Sequence, residues 1–416
     1  MEKEIVTAGS GGLNRRERAA ERVTQEARRC AEFLRARGDY SPQFDYFLDL
    51  AENGGIPEAM AEKTGRPVAK LLCIQVPVEL VSAAGFHPLK VWSGSPAVSS
   101  LTVQGTPALM CPMLRAVLGA VGMKDETRES IWVLPTTCDW VVKFPELASR
   151  EGRVFSPKMH WLELPHLKDG EHGQKRWLNE VYELKDFLES IGRRVDKKSL
   201  AQAIERYQRA WAALSRLSAM RKEGRLAAVW FMLIAGSFFS DSPERWSEAA
   251  KKITGSPALD PTEEKARVFL AGSPIFFPNF KIPLLMEEVG LYMASDDLCS
   301  SERIIPGAVT YRDSSLHGMM TALAERYHQG CLCPTFIDND RRINNILGQR
   351  EGIDFRGVVF HVLKGCHLYD IESRGLEGAL KEGGLKFIRL ETDYATEDEG
   401  NLRTRLEAYR GILGEK

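Results

Sequence analysis

The sequence predicts an α/β protein in which two parallel-sheet lobes flank a helical stretch, on three observations. Short apolar runs alternate with helix-spaced segments over residues 68–164, the same rhythm resumes from residue 265, and between them apolar residues recur mainly at helical spacing. Strands separated by helices favour a parallel sheet with helices on its faces. A chain of 416 residues also exceeds the roughly 250–300 at which a single core stops growing, so more than one domain is expected.

Each element follows from a local pattern. Over residues 15–50 charged residues alternate with Ala20, Val23, Ala27, Cys30, Phe33 and Leu34, so residues 1–66 read as a helical N-terminal segment with Cys30 in its buried stripe. Asn53-Gly54-Gly55 and Gly65-Arg66-Pro67 interrupt the chain and lead into a first α/β domain, residues 67–172. Its strands are an apolar run from Val68 through Val76, then residues 89–92, 131–134 and 159–164. A helical insert spans residues 173–262, with periodic stretches at 177–191 and 200–221, a buried helix in the run 226–239, and Pro257 and Pro261 at its end. The second α/β domain, residues 263–416, has strands at 267–271, 291–294, 357–363 and 386–390, helices at 283–288, 319–327 and 341–349, and a closing helix.

Composition removes several function classes. Lys+Arg 56 against Asp+Glu 57 leaves almost no net charge, which argues against a nucleic-acid or anionic-lipid surface. Residues 1–29 are charged and lack the apolar core of a secretory signal. The run 226–239 falls short of the roughly 20 residues that span a bilayer. The expected location is cytoplasmic, without a membrane partner, where thiols stay reduced and serve as ligands or buried apolar groups rather than disulfides.

Of the eight cysteines, Cys73, Cys111, Cys138, Cys299, Cys331, Cys333 and Cys366 sit beside glycines, prolines or the ends of apolar runs. Cys138, Cys299 and Cys366 each follow a strand within a few residues, at the sheet edge where sites of parallel sheets lie. Thiolates hold iron–sulfur clusters, yet no compact ferredoxin-like spacing occurs, so a cluster must be assembled from distant segments. Any single cysteine also fits a buried apolar filler. Cys331-x-Cys333 with Cys366-His367 offers a rival zinc site, although no CxxC pair supports it. No GxGxxG follows the first strand and no GxxxxGK[ST] occurs, so any ATP is expected to be bound by a partner. His367 and Glu372 lie just after Cys366 and are the candidate proton donors; a structural hydrogen bond is the alternative for His367. Glu391 and Asp393 end the last strand at the same sheet edge, where they either contact substrate or, the favoured reading, cap the next helix.

An ordered set of segments carries a resemblance. It comprises Pro77-Val78-Glu79-Leu80-Val81-Ser82-Ala83-Ala84-Gly85, Cys111-Pro112, Thr137-Cys138-Asp139, Asp297-Leu298-Cys299, Gly365-Cys366, Leu390-Glu391-Thr392-Asp393-Tyr394 and Arg403-Thr404-Arg405-Leu406-Glu407-Ala408. Together they resemble the 2-hydroxyacyl-CoA dehydratase and benzoyl-CoA reductase family over about residues 68–413. The resemblance implies two Rossmann-like (flavodoxin-like) parallel-sheet domains, and a 4Fe-4S cluster on residues matching Cys111, Cys138 and Cys366. The additional Cys73, Cys299 and Cys331/Cys333, with Cys366-His367-Leu368-Tyr369-Asp370-Ile371-Glu372-Ser373, look like the double-cubane proteins of the same family. There an 8Fe-9S cofactor would use Cys73, Cys299 and one of Cys331 or Cys333 for its second half, with Cys333 taken as the metal ligand. Trp140 and Ser273 depart from residues common in relatives.

The expectation is therefore an oxidoreductase: an iron–sulfur reductase that acts on a small molecule in an ATP-dependent reaction. The resemblance implies electrons from a separate iron–sulfur ATPase activator, and a homodimer. Its rivals are a 2-hydroxyacyl-CoA dehydratase or benzoyl-CoA reductase subunit with one 4Fe-4S cluster, and a non-enzymatic cluster carrier or electron relay.

Overall fold

The computed structural model describes residues 15–53, 57–101, 106–123, 126–150, 155–168, 170–255, 265–305, 307–337 and 340–414. Gly54, Gly55, Pro257 and Pro261, read above as breakers, lie outside the described residues, as does the start of the charged N-terminus.

Two four-stranded, wholly parallel sheets form the frame. The first contains β1 (Val68–Leu71), β2 (His87–Lys90), β3 (Ile131–Pro135) and β4 (Lys158–Leu162) in the order β2-β1-β3-β4. The second contains β5 (Ala266–Gly272), β6 (Leu291–Asp296), β7 (Gly357–Leu363) and β8 (Lys386–Thr392) in the order β6-β5-β7-β8. Both are α/β units of Rossmann or flavodoxin type with helices between the strands, as the alternation of patterns predicts. Strand β7 is buried along its whole length, the signature of a central parallel strand covered on both faces.

Two strand limits differ from the expectation. The apolar run from Val68 does not continue to Val76; the chain leaves the sheet after Leu71, and Pro77 caps the helix Val78–Ala83. Pro88 falls inside β2, which is an edge strand and so tolerates a residue without an N–H. Strand β4 stops at Leu162, and the Leu164 N–H turns to the Thr136 hydroxyl at 3.0 Å.

Between the sheets run the helices Glu171–Ile191, Lys197–Lys222, Ala228–Gly236 and Pro243–Lys251. Asp196 starts the longest of them by accepting the Ser199 N–H at 2.7 Å, completing a capping box. Residues 228–235 are buried on every side, so the apolar run 226–239 is an interior helix. Phe44 of the N-terminal segment stacks on its Trp230 at 4.3 Å, and one core joins the N-terminal helices, these helices and both sheets. No helix among the described residues is long and apolar enough to cross a membrane.

The lobes meet closely beside β2. The Gly94 N–H donates to the Phe277 carbonyl at 3.0 Å, and a Cβ at Gly94 would lie 2.0 Å from the Phe276 carbonyl oxygen. Trp92 packs on Phe276 with ring centroids 4.9 Å apart. Both sheets thereby turn their carboxyl ends toward a shared space.

Candidate functional site

In a parallel sheet whose strand order reverses, the loops leaving the strands on either side of the reversal diverge and open a crevice. Here the reversals fall between β1 and β3 and between β5 and β7. Cys73 follows β1, Cys138 follows β3, Cys299 follows β6 and Cys366 follows β7. Cys111 precedes the helix Pro112–Met123, and Cys331 and Cys333 follow the helix Leu316–Gln329. All seven line one cavity of about 360 Å³. Cys30 lies elsewhere, half-buried against the main core as its helical pattern predicts.

Helix ends and one glycine set three of these sulfurs. Cys138 is the N-cap of the helix Asp139–Ala148, and Cys366 that of the helix His367–Glu382. Backbone N–H groups of Val141 and Trp140 point at the Cys138 sulfur, those of Leu114 and Met113 at Cys111, and that of Tyr369 at Cys366. Gly365 has φ +77°, and a Cβ there would lie 1.8 Å from the Leu109 carbonyl oxygen. Only glycine lets the chain pass so close, which brings Cys366 against the segment carrying Cys111. Trp140 closes this corner by donating from Nε1 to the Gly365 carbonyl at 3.3 Å.

The other four sulfurs share their loops with cations. Lys90 donates to the Cys73 carbonyl, and Lys168 to the Cys331 carbonyl. Buried Arg303 donates to the Leu332 carbonyl at 2.5 Å, to the Tyr369 hydroxyl at 3.0 Å and to the Asp297 carbonyl. Its guanidinium thus lies among Cys299, Cys331 and Cys333.

Burial dominates the titration of the site. It pushes the Cys73 thiol up to about 12, with Cys333 adding to the shift and Lys90 opposing it. It pushes Cys366 to about 12 against the Tyr369 N–H, and Cys299 to about 11 against Arg303. Cys111 and Cys138 are raised by the same cause. The Cys331–Cys333 hydrogen bond splits that pair, holding Cys331 up and Cys333 down to about 6. Lys90 is depressed to about 7 by burial, which the neighbouring cysteines partly offset.

Among the described residues no group of three or more His, Cys, Asp and Glu side chains is arranged to hold a single metal ion. The zinc arrangement of Cys331, Cys333, Cys366 and His367 gains no support from this geometry. Thiols spread around a cavity, three of them facing helix-end N–H groups, instead suit a multi-iron cluster, which needs ligands on several sides and donors to its sulfurs.

His367 is exposed at the start of its helix and lines the cavity. Glu372 does not line it. Its carboxylate is buried, accepts from Arg342, and is raised by burial with Arg342 opposing. Glu372 is thus set back from the cavity, with its carboxylate held by Arg342. Arg342 also pairs with Asp297, so Glu372 belongs to an ionic cluster supporting the Asp297-Leu298-Cys299 loop. Asp393 accepts the Ala395 N–H at 2.9 Å and pairs with Lys364, a local turn contact.

Sequence reasoning missed Lys90, Lys168 and Arg303. Lys90 ends β2 at the carboxyl edge that singled out the cysteines, and Arg303 stands four residues past Cys299, so the same rule reaches both. Lys168 carries no such signal.

Comparison with known proteins then decides the family. A model of the 2-hydroxyglutaryl-CoA dehydratase D-component matches residues 73–413. The chain belongs to this family. It is 24% identical over 388 residues to YjiM of Escherichia coli (strain K12), which carries a provisional dehydratase-subunit name; the match covers 89% of this chain and 97% of that one. It is 22% identical over 381 residues to the (R)-phenyllactyl-CoA dehydratase beta subunit of Clostridium sporogenes, covering 89% and 98%. It is 21% identical over 370 residues to the beta subunit of (R)-2-hydroxyglutaryl-CoA dehydratase from Acidaminococcus fermentans, covering 86% and 96%.

Two expectations are overturned by these matches. The narrower resemblance to double-cubane proteins gives way to dehydratase subunits, two of them beta subunits. The class of oxidoreductase gives way as well, because the matched names describe dehydration rather than net reduction. The broader likeness to an iron–sulfur dehydratase family stands.

Proposed function

We propose that this chain is a subunit of a 2-hydroxyacyl-CoA dehydratase and that Cys111, Cys138 and Cys366 hold a 4Fe-4S cluster in its cavity. The observation that carries the reading is the opening of these three thiols, from segments far apart in sequence, onto one space between two sheets. Such a cluster, when bound, supplies electrons one at a time.

The protein's own residues do the rest. Leu72, Ile74, Trp92, Met113 and Trp140 give the cavity an apolar lining suited to an acyl chain. His367, exposed on the rim, is placed to exchange a proton with a bound group. Arg303 holds positive charge at the wall, where it favours an anion developing on the substrate. Arg342 and Glu372 act as positioning residues for the Cys299 loop.

Electrons would come from a separate ATP-dependent iron–sulfur activator, since no phosphate-binding glycine motif occurs in the sequence. The names of the relatives support a multi-subunit assembly, and a complex of this chain with a companion subunit is the form to test. Leu109, Ile337 and Ile371 are exposed close to cavity-lining segments and mark the face for a partner. The test is anaerobic dehydration of a 2-hydroxyacyl-CoA thioester by this chain with its companion subunit, an activator and ATP. Product that requires all components supports the reading; a reconstituted mixture with full iron content and no turnover of any 2-hydroxyacyl thioester contradicts it.

A further inference from the structure

Behind the wall formed by Ile74, Arg303 and Cys331 lies a second, much smaller chamber of about 20 Å³. These three residues line both spaces, so the chamber backs directly onto the thiol cavity. Its other walls include Gln75, Trp211, Arg326 and Tyr327.

Three of the lining residues carry buried polar atoms that find no protein partner among the described residues. Gln75 is 1% exposed, yet both its carboxamide oxygen and its nitrogen lack a partner. Nε and Nη2 of Arg326 and Nε1 of Trp211 are unpartnered as well. Buried polar groups are almost always satisfied by protein or by ordered water, and an apolar filler would leave all five atoms bare. The remaining hydrogen bonds fix the frame. Arg326 Nη1 pairs with the buried Glu79 carboxylate, Tyr327 donates to the same carboxylate at 2.8 Å, and the Val78 N–H donates to the Tyr327 oxygen at 3.2 Å.

We propose that this chamber is a built water site, in which one water accepts from Arg326 and donates to the Gln75 carboxamide oxygen. Size selects the ligand, because a volume of about 20 Å³ exceeds the ~10–15 Å³ that one water needs and leaves no room for an organic group. Charge selects it too. Glu79 already neutralises Arg326, so a neutral molecule with both donor and acceptor capacity fits better than an anion. The water extends the Glu79–Arg326–Tyr327 cluster toward the wall of Ile74, Arg303 and Cys331 that the chamber shares with the thiol cavity.

The test is a crystal structure of the full chain at a resolution that shows ordered solvent, alongside the Gln75→Leu variant and a bromide soak. The expected result is one water peak within hydrogen-bond distance of Gln75 and Arg326, no anomalous bromide peak there, and loss of the water in Gln75→Leu. An empty chamber, a Gln75 rotated onto a protein partner, a bromide peak, or a water that persists unmoved in Gln75→Leu each overturns the proposal. Should Gln75→Leu fail to fold, the unaltered protein and its bromide soak still decide. The readout needs neither iron nor activity, so it stands apart from the cluster reading.

Discussion

Two groups of cysteines share one cavity but are held in different ways. Cys111, Cys138 and Cys366 sit at helix starts, where fixed backbone N–H groups face the sulfurs. Cys73, Cys299, Cys331 and Cys333 sit in loops whose carbonyls and charges are tied down by Lys90, Lys168 and Arg303. The N–H donors at a helix start belong to the backbone and cannot be removed by substituting one side chain. A loop whose carbonyls are held by lysine and arginine side chains depends on groups that a single substitution removes. The first group is therefore the sturdier of the two and the one proposed to hold the cluster, and the second is the more adjustable wall.

The largest expected effect separates the groups outright. Cys138→Ala should remove most of the iron and abolish dehydration, whereas Cys333→Ser should keep the iron content near that of the unaltered protein. Iron assay and electron paramagnetic resonance on anaerobic samples check both. Loss of about half the iron in Cys333→Ser would break the distinction and make the second group ligands as well.

Next comes the support beneath the second group. Arg342→Ala leaves Asp297 and Glu372 buried without their cation, and removing one partner of such a pair costs roughly 3–5 kcal/mol. Urea unfolding of the iron-free protein measures it. A loss below about 1 kcal/mol, the level of an exposed pair, would show that the network does not stiffen the Cys299 loop.

Acid should loosen the strands behind both groups. His87 and His361 are buried and depressed from 6.5 to about 4, chiefly by burial. The unfolded chain binds protons at these sites first, so the stability they retain above pH 6.5 is lost as pH falls toward 4, by up to a few kcal/mol. His87→Gln and His361→Gln should flatten this slope in pH-dependent unfolding. An unchanged slope would assign the acid sensitivity to other groups.

A further substitution sharpens the geometry of the first group. Gly365→Ala places a side chain at φ +77° against the Leu109 carbonyl, costing about 1–3 kcal/mol from the backbone alone. It should also loosen Cys366 and speed iron loss to a chelator. Stability and iron retention that match the unaltered protein would show that the close approach is dispensable.

Legibility in the sequence follows range. Strand β7 and the interior helix Ala228–Gly236 are continuous apolar runs, so their patterns are local and readable. The end of β1 was not, because Leu72, Ile74 and Val76 stay apolar after the chain leaves the sheet to line the site or enter the core. Cys138 and Cys366 were legible as strand-end residues. The pairing of Glu372 with Arg342 was not legible, since proximity to Cys366 along the chain says nothing about which helix face a residue occupies. The pairing of Glu79 with Arg326 joins residues far apart in the chain and leaves no local trace.

The central claim is that the helix-start cysteines hold one cluster in a dehydratase subunit. Iron and acid-labile sulfide analysis of the anaerobically purified chain tests it most directly. The account predicts about four irons and four sulfides per chain, and either no iron or about eight irons per chain would contradict it.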